Sequence, residues 1–447
     1  MGDRTTRIWL LVASALCAVG LALGSPLRAI SGDTVPGRLG AAVVRCGGGF
    51  DLDTVDWIHQ ATRKNTIYYF EQPDRADEHT SIFGPGPAAV GALGLLDFGE
   101  GDTIDDATLR HRERDVAAWL VALATCLVVV ASRLRTTPWR SFVVGFTGAA
   151  SFAGAASLGQ GLWQATVALP ALIGALATLV YAERHPRLAL ATPALLVAAV
   201  MVRPLLAPLC LALGVAWALS GRGGKRWLWA GALALVVAAP FVVWNVIHLW
   251  SPFPIGELRA NARITDHAFR ISPAGLVKGV GGLLVSPGRG LLWFAPIALV
   301  GLWYGATSKV RLHRLVAAGA ILQLVVVGAF YKWHGGLAFG PRLLAEVTWL
   351  LTWLALGAGI FESPWRRTVR RCAVAITIAI GLLGLWRFRP EQWEARRMPD
   401  ADETALWDPV DSPIRALFSH DRPQTQLDSP KSAGLRCAYG ELHSIPP

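Results

Sequence analysis

Charge is scarce in this chain of 447 residues: Asp, Glu, Lys and Arg make up 16%, against 53% hydrophobic residues. A mean hydropathy of +0.42 points the same way. That balance argues against a soluble domain with a solvated surface. The sequence also has no Walker-type phosphate loop, no dinucleotide fingerprint, no Cys/His metal cluster and no internal repeat. These absences remove nucleotide-driven chemistry of the phosphate-loop kind, a Rossmann cofactor, a zinc site and a repeat architecture. Cysteine is sparse too, at six residues.

What the chain has is one long apolar run after another, with 19 tryptophans and 46 glycines, as helical membrane proteins do. Ile8–Gly24 follows Arg4 and Arg7 and reads as a first span or a signal peptide; the many later runs favour a span. Ten more spans are expected at Val116–Ser132, Phe142–Ser157, Trp163–Ala182, Leu188–Val202, Leu205–Leu219, Trp227–Trp250, Leu291–Ala306, Leu315–Phe330, Leu343–Phe361 and Cys372–Trp386. The expected fold is therefore all-α and integral to the membrane, with about eleven transmembrane helices. A membrane domain over residues 1–387 is followed by a tail, 388–447.

The net charge of +11 invites a nucleic-acid reading, but its placement argues against one. Short loops carry the cations: Arg133, Arg135 and Arg140; Arg184 and Arg187; Arg222, Lys225 and Arg226; Lys309, Arg311 and Arg314; Arg366, Arg367, Arg370 and Arg371. All fall on one side of the bilayer if Arg203-Pro204 separates two spans. The positive-inside rule then puts the N-terminus in the cytoplasm and the tail outside. The long first loop, residues 25–115, is also outside and is acidic, with nine Arg/Lys against fifteen Asp/Glu. Within it Pro85–Leu96 is apolar, Gly-rich and too short to span, so it is read as a helix on or dipping into the outer face. Cys17, Cys126, Cys210 and Cys372 lie in or at the ends of spans. Cys46 and Cys437 are both outside, where an oxidising compartment permits a disulfide between loop and tail.

Nearly every turn broken by Gly or Pro and carrying polar residues falls on the outer face. The densest is Tyr331-Lys332-Trp333-His334-Gly335-Gly336-Leu337-Ala338-Phe339-Gly340-Pro341-Arg342. Its glycines allow close approach of backbone to a ligand, and Pro341 can start a helix at Arg342. Arg203, Lys278, Arg289, Lys332 and Arg342 form a cationic set against apolar helix ends, and His334 is a further candidate for the donor phosphate. Guanidinium groups suit phosphate oxygens, and at the outer leaflet a phosphate belongs to a lipid. Asp33, just past the first span, can face that phosphate, either to deprotonate an acceptor hydroxyl or to help hold a divalent metal. Asp51 and Asp53 are candidates for a second carboxylate. Each residue has a plainer reading: Asp33 as a turn cap, His334 in an interfacial belt, Arg342 neutralised by Glu346 one helical turn on.

At Ser31-Gly32-Asp33, the "SLGQGLWQ" turn, Arg203-Pro204, "SPGRGLLWFAP" and "WHGGLAFGPRLL", spread over most of residues 1–362, the chain resembles bacterial membrane glycosyltransferases of the C-type fold. These are relatives of the protein mannosyltransferase and aminoarabinose transferase families. The resemblance implies a polyprenyl-phosphate-linked sugar as donor, a site on the extracytoplasmic face of the plasma membrane, and inversion at the anomeric carbon. Many members carry paired acids in the first loop, whereas Thr34 follows Asp33 here, which weakens the case for a metal held by two carboxylates. The function expected is transfer of a monosaccharide to an extracytoplasmic acceptor, with membrane lipids around it and no nucleic acid. The alternatives are a transporter or flippase of lipid-linked sugars and a non-catalytic envelope-assembly protein. Matching pairs of broken helices, the usual sign of a transporter, are absent from the sequence.

Overall fold

The computed structural model describes residues 2–25, 32–47, 49–50, 52, 69–72, 75–220, 225–256, 272–336, 338–357, 364–388, 393, 403–418, 434–438 and 441–445. It is an integral membrane protein built on apolar helices. Five are long and apolar enough to cross a bilayer: Asp106–Arg133, Gln164–Tyr181, Arg226–Leu249, Arg311–Ala329 and Trp365–Arg387. Shorter apolar helices include Ile8–Leu23, Pro186–Val202, Pro204–Ala218, Pro273–Val285 and Pro296–Thr307. The first helix packs along Asp106–Arg133, which also lies against Gln164–Tyr181. Helix Pro296–Thr307 packs on Ala345–Leu356, whose residues are buried from Ala345 to Ala355.

Small residues set the closest crossings. A Cβ on Gly301 would collide with the Leu351 carbonyl, and one on Gly279 with the Gly328 carbonyl. Lipid offers helices little hydrophobic drive to associate, so close backbone approach does that work. The same device seats helix Val35–Cys46 on the short helix Gly86–Gly91, where Gly37 meets Pro87 and Gly40 meets Ala88. Arg45 locks that contact, donating from Nε to the Leu95 carbonyl and from Nη2 to the Leu96 carbonyl, each at 2.8 Å.

The structure departs from the sequence expectation in four places. First, the fold is not purely helical. Tyr69–Gln72 pairs antiparallel with Arg75–Ser81, and Thr103–Ile104, Gly434–Ala438 and Glu441–Ile445 form a three-stranded sheet in that order. Extramembrane backbone must find partners, and here tail and loop supply them to each other. Cys46 and Cys437 are disulfide-bonded beside this sheet. Second, the expected span Phe142–Ser157 stops as a helix at Ala150; residues 151–163 continue as a buried, Gly-punctuated turn. Third, Leu291–Ala306 is split at Ala295, where Pro296 cannot donate to a continuous helix. Fourth, Pro273–Val285 is a helix in a stretch expected to be an outer loop. The tail is also woven into the main core, where Trp393 and Leu406 are fully buried.

Candidate functional site

Asp33 lies in a 3-10 turn, Gly32–Thr34, that runs directly into helix Val35–Cys46. Arg342 begins a second 3-10 turn, Arg342–Leu344, that feeds helix Ala345–Leu356. Gly340, two residues earlier, has φ +75 and sits against Phe294 and Phe152, so a side chain there would be both strained and crowded. These two turns bring together residues 309 apart in sequence: Arg342 donates from Nη2 to Asp33 Oδ2 at 2.5 Å. The guanidinium carbon lies 4.0 Å from the ring centre of Trp163, a cation–π contact.

Trp163 ends the "SLGQGLWQ" turn and is held from behind. Its Nε1 donates to the Ser157 carbonyl at 3.3 Å, and the neighbouring Leu162 N–H donates to Glu113 Oε1 at 2.9 Å. The other Glu113 oxygen takes Arg38 Nη1 at 3.3 Å. Arg38 is on the helix that starts beside Asp33, so one buried carboxylate ties the carboxylate turn to the tryptophan turn. Gln164 Nε2 donates to the Phe83 carbonyl at 3.0 Å, adding the outer-loop strand end.

A second pair stands one helical turn beyond Arg342. Arg203 Nε is 2.7 Å from Glu346 Oε1, with Glu346 completely buried. The N–H is not aligned for a hydrogen bond, so charge rather than geometry holds the pair. The plainer reading of Arg342, neutralised by Glu346, is thus corrected: Asp33 takes Arg342 and Arg203 takes Glu346. Four nitrogens of the two arginines remain without a hydrogen-bond partner although buried: Arg342 Nε, Arg342 Nη1, Arg203 Nε and Arg203 Nη2. A buried donor left unpaired costs about 1–3 kcal/mol, more for a charged group. Such donors, each on an arginine already paired with a carboxylate, suit an anionic oxygen ligand.

Arg289 is placed differently from its expected role. It has no exposed surface, and its guanidinium donates to three carbonyls: Nε to His334 at 2.8 Å, Nη1 to Gly288 at 3.0 Å and Nη2 to Gly336 at 2.8 Å. It stitches the His334–Gly336 turn, and Trp393 of the tail covers it at 5.9 Å. His334 is buried, with Nδ1 accepting the Gly336 N–H at 3.3 Å. Lys278 sits on helix Pro273–Val285 and pairs with Glu403 of the tail at 2.6 Å. Asp51 and Asp53 lie outside the described residues.

Among the described residues, Asp33 is engaged by a cation rather than grouped with further metal-ligating side chains: its carboxylate faces a guanidinium, and no three His, Cys, Asp or Glu side chains gather. Sequence reasoning passed over Glu113, because the apolar run begins at Val116 while the helix reaches back to Asp106. A carboxylate three residues before an apolar run, in phase with its buried face, was the available signal.

No family model and no curated protein matches the sequence. Two solved structures from Archaeoglobus fulgidus are similar in shape. One is its oligosaccharyltransferase in the apo form, at 15% identity and a TM-score of 0.44, covering 95% of this chain and 62% of that one. The other is the archaeal oligosaccharyltransferase AglB in complex with an inhibitory peptide and a dolichol-phosphate, at 14% identity and a TM-score of 0.45, covering 96% and 62%. The chain thus spans about 62% of their length. Likeness of that degree fixes neither the family nor the chemistry of this protein.

Proposed function

We propose that the protein is a membrane glycosyltransferase. It moves a monosaccharide from a polyprenyl-phosphate donor to an acceptor on the extracytoplasmic side of a bacterial plasma membrane. The observation that carries this reading is the Asp33–Arg342 contact over Trp163, with two further N–H groups of Arg342 buried and unpaired. Asp33 is the general base. Arg342, with Arg203 behind it, stabilises the phosphate as it leaves. Arg289 and His334 shape the turn that delivers Arg342. The sequence resemblance to C-type glycosyltransferases supports the same donor class.

In the reaction, the acceptor hydroxyl gives its proton to Asp33 while its oxygen bonds to the anomeric carbon. The bond from that carbon to the phosphate oxygen breaks, and its electron pair leaves on the phosphate. Direct displacement gives inversion.

The test uses purified protein with radiolabelled polyprenyl-phosphate sugars, following hydrolysis and transfer. Wild-type protein should release or transfer sugar, and Asp33→Asn and Arg342→Ala should not. Full activity in both variants removes the site. Counter-flow of intact lipid-linked sugar without bond cleavage would identify a transporter instead.

A further inference from the structure

We infer that Arg342 exchanges partners. An isoprenoid phosphate draws its guanidinium off Asp33, so that the carboxylate is freed only after that ligand is seated. The inference rests on the glycosyltransferase reading and adds an order of binding to it: donor first, acceptor second.

Three features make the exchange feasible. Arg342 gives Asp33 a single nitrogen, Nη2, and engages a single carboxylate oxygen. Its Nε and Nη1 have no hydrogen-bond partner, which leaves two donors of the fork for a phosphate. The cation–π contact with Trp163, 4.0 Å from guanidinium carbon to ring centre, gives Arg342 a hold that is not directional toward one carboxylate oxygen, so it can persist while the partner changes. Asp33 completes the device. Its side chain is 24% exposed, so when released it meets solvent or an acceptor hydroxyl rather than apolar protein. A carboxylate that must stay buried would lose too much by parting from its cation.

The chemical gain is control. While Arg342 occupies its oxygen, Asp33 is poorly placed to take a proton from an acceptor hydroxyl or from water. Once phosphate holds Arg342, the base and the stabilised leaving group appear together. The acceptor proton then goes to Asp33, the acceptor oxygen bonds to the anomeric carbon, and the electron pair of the broken carbon–oxygen bond stays on the phosphate.

The experiment measures whether Asp33 is free, independently of turnover. Full-length protein in detergent is treated with a carbodiimide and an amine, and modification at Asp33 is quantified by mass spectrometry. Modification of exposed Asp105 in the same sample corrects for reagent consumed by phosphate. Farnesyl phosphate is the probe, with inorganic phosphate at equal concentration as the comparison. Normalised labelling of Asp33 should rise about tenfold with farnesyl phosphate and stay low with inorganic phosphate, the response of an equilibrium shifted by differential binding. Arg342→Ala should be labelled strongly without any probe. Arg342→Gln, which keeps a planar group over Trp163, provides the same comparison where the alanine variant does not fold. An unchanged signal with farnesyl phosphate, or weak labelling in the folded Arg342 variant, overturns the exchange. An equal rise with inorganic phosphate overturns the assignment to a lipid. If labelling rises as expected but no sugar is ever transferred, the exchange stands and the transferase reading falls.

Discussion

Two arginine–carboxylate pairs sit within one helical turn of each other, and burial separates their roles. Glu346 has no exposed surface, and Arg203 beside it is nine-tenths hidden. Asp33 is a quarter exposed, while Arg342 is tucked under it against Trp163. The sealed pair must stay closed, since each member is the other's main compensation for leaving water. Unpaired donors are present on both arginines, but only the open pair has a route to solvent for its carboxylate. The same residue types thus give a fixed strut in one case and a reactive element in the other.

Four measurements break or sharpen this contrast. The largest effect is expected at the open pair, where Asp33→Asn should lower transfer by about 10²–10⁴-fold, the range for a lost general base. Its thermal midpoint in detergent should stay near that of the parent; an equal loss of stability would make Asp33 a strut as well. Next comes the sealed pair. Arg203→Ala should cost about 3–5 kcal/mol by leaving Glu346 buried without its partner, and the double replacement Arg203→Met with Glu346→Leu should recover most of it. Denaturant titration reads both, and a double variant as weak as the single one would show the pair is more than compensation.

A smaller effect is expected at Arg289, which pairs with carbonyls instead. Arg289→Lys should cost about 1–3 kcal/mol, because an ammonium cannot copy a fork that reaches three carbonyls. Asp105 offers the smallest effect, as an exposed carboxylate with a purely local role. It caps helix Asp106–Arg133 by accepting the Thr108 N–H at 2.5 Å, and that bond lowers its pKa. Asp105→Ala should cost about 0.5–1 kcal/mol at neutral pH. A depressed pKa means the contribution is full above the unfolded value and is lost as pH falls through the folded one. Parent and variant should therefore converge only below about pH 4.

The turns that carry the candidate residues were legible because they are chemically odd. Asp33 beside a glycine, Arg203 before a proline and Arg342 after Gly340-Pro341 all interrupt apolar runs at a cost that packing alone does not explain. The Cys46–Cys437 bond was expected from a topology that left these two as the cysteines outside the spans, and the structure joins them. Lys278 misled, because a cation in a Gly-rich stretch looked like a loop, whereas Gly279 in fact allows a close helix crossing at Gly328. Arg289 was recognised as unusual but not as a turn-builder, since its partners are carbonyls 45 and 47 residues away. Glu113 was missed because the charged opening turns of helix Asp106–Arg133 look like loop when only the apolar segment is scanned.

By itself the sequence determined that this is a helical membrane protein, with simple basic loops set apart from turns rich in glycine, proline and polar residues. Hydropathy and charge placement are local properties, and they suffice for that. Only the tertiary structure decided which arginine meets which carboxylate, and that Glu113 and Trp163 stand behind the meeting point. Those pairings depend on how far each helix extends and which glycines let backbones touch, and burial then decides which ion pair is sealed and which can open.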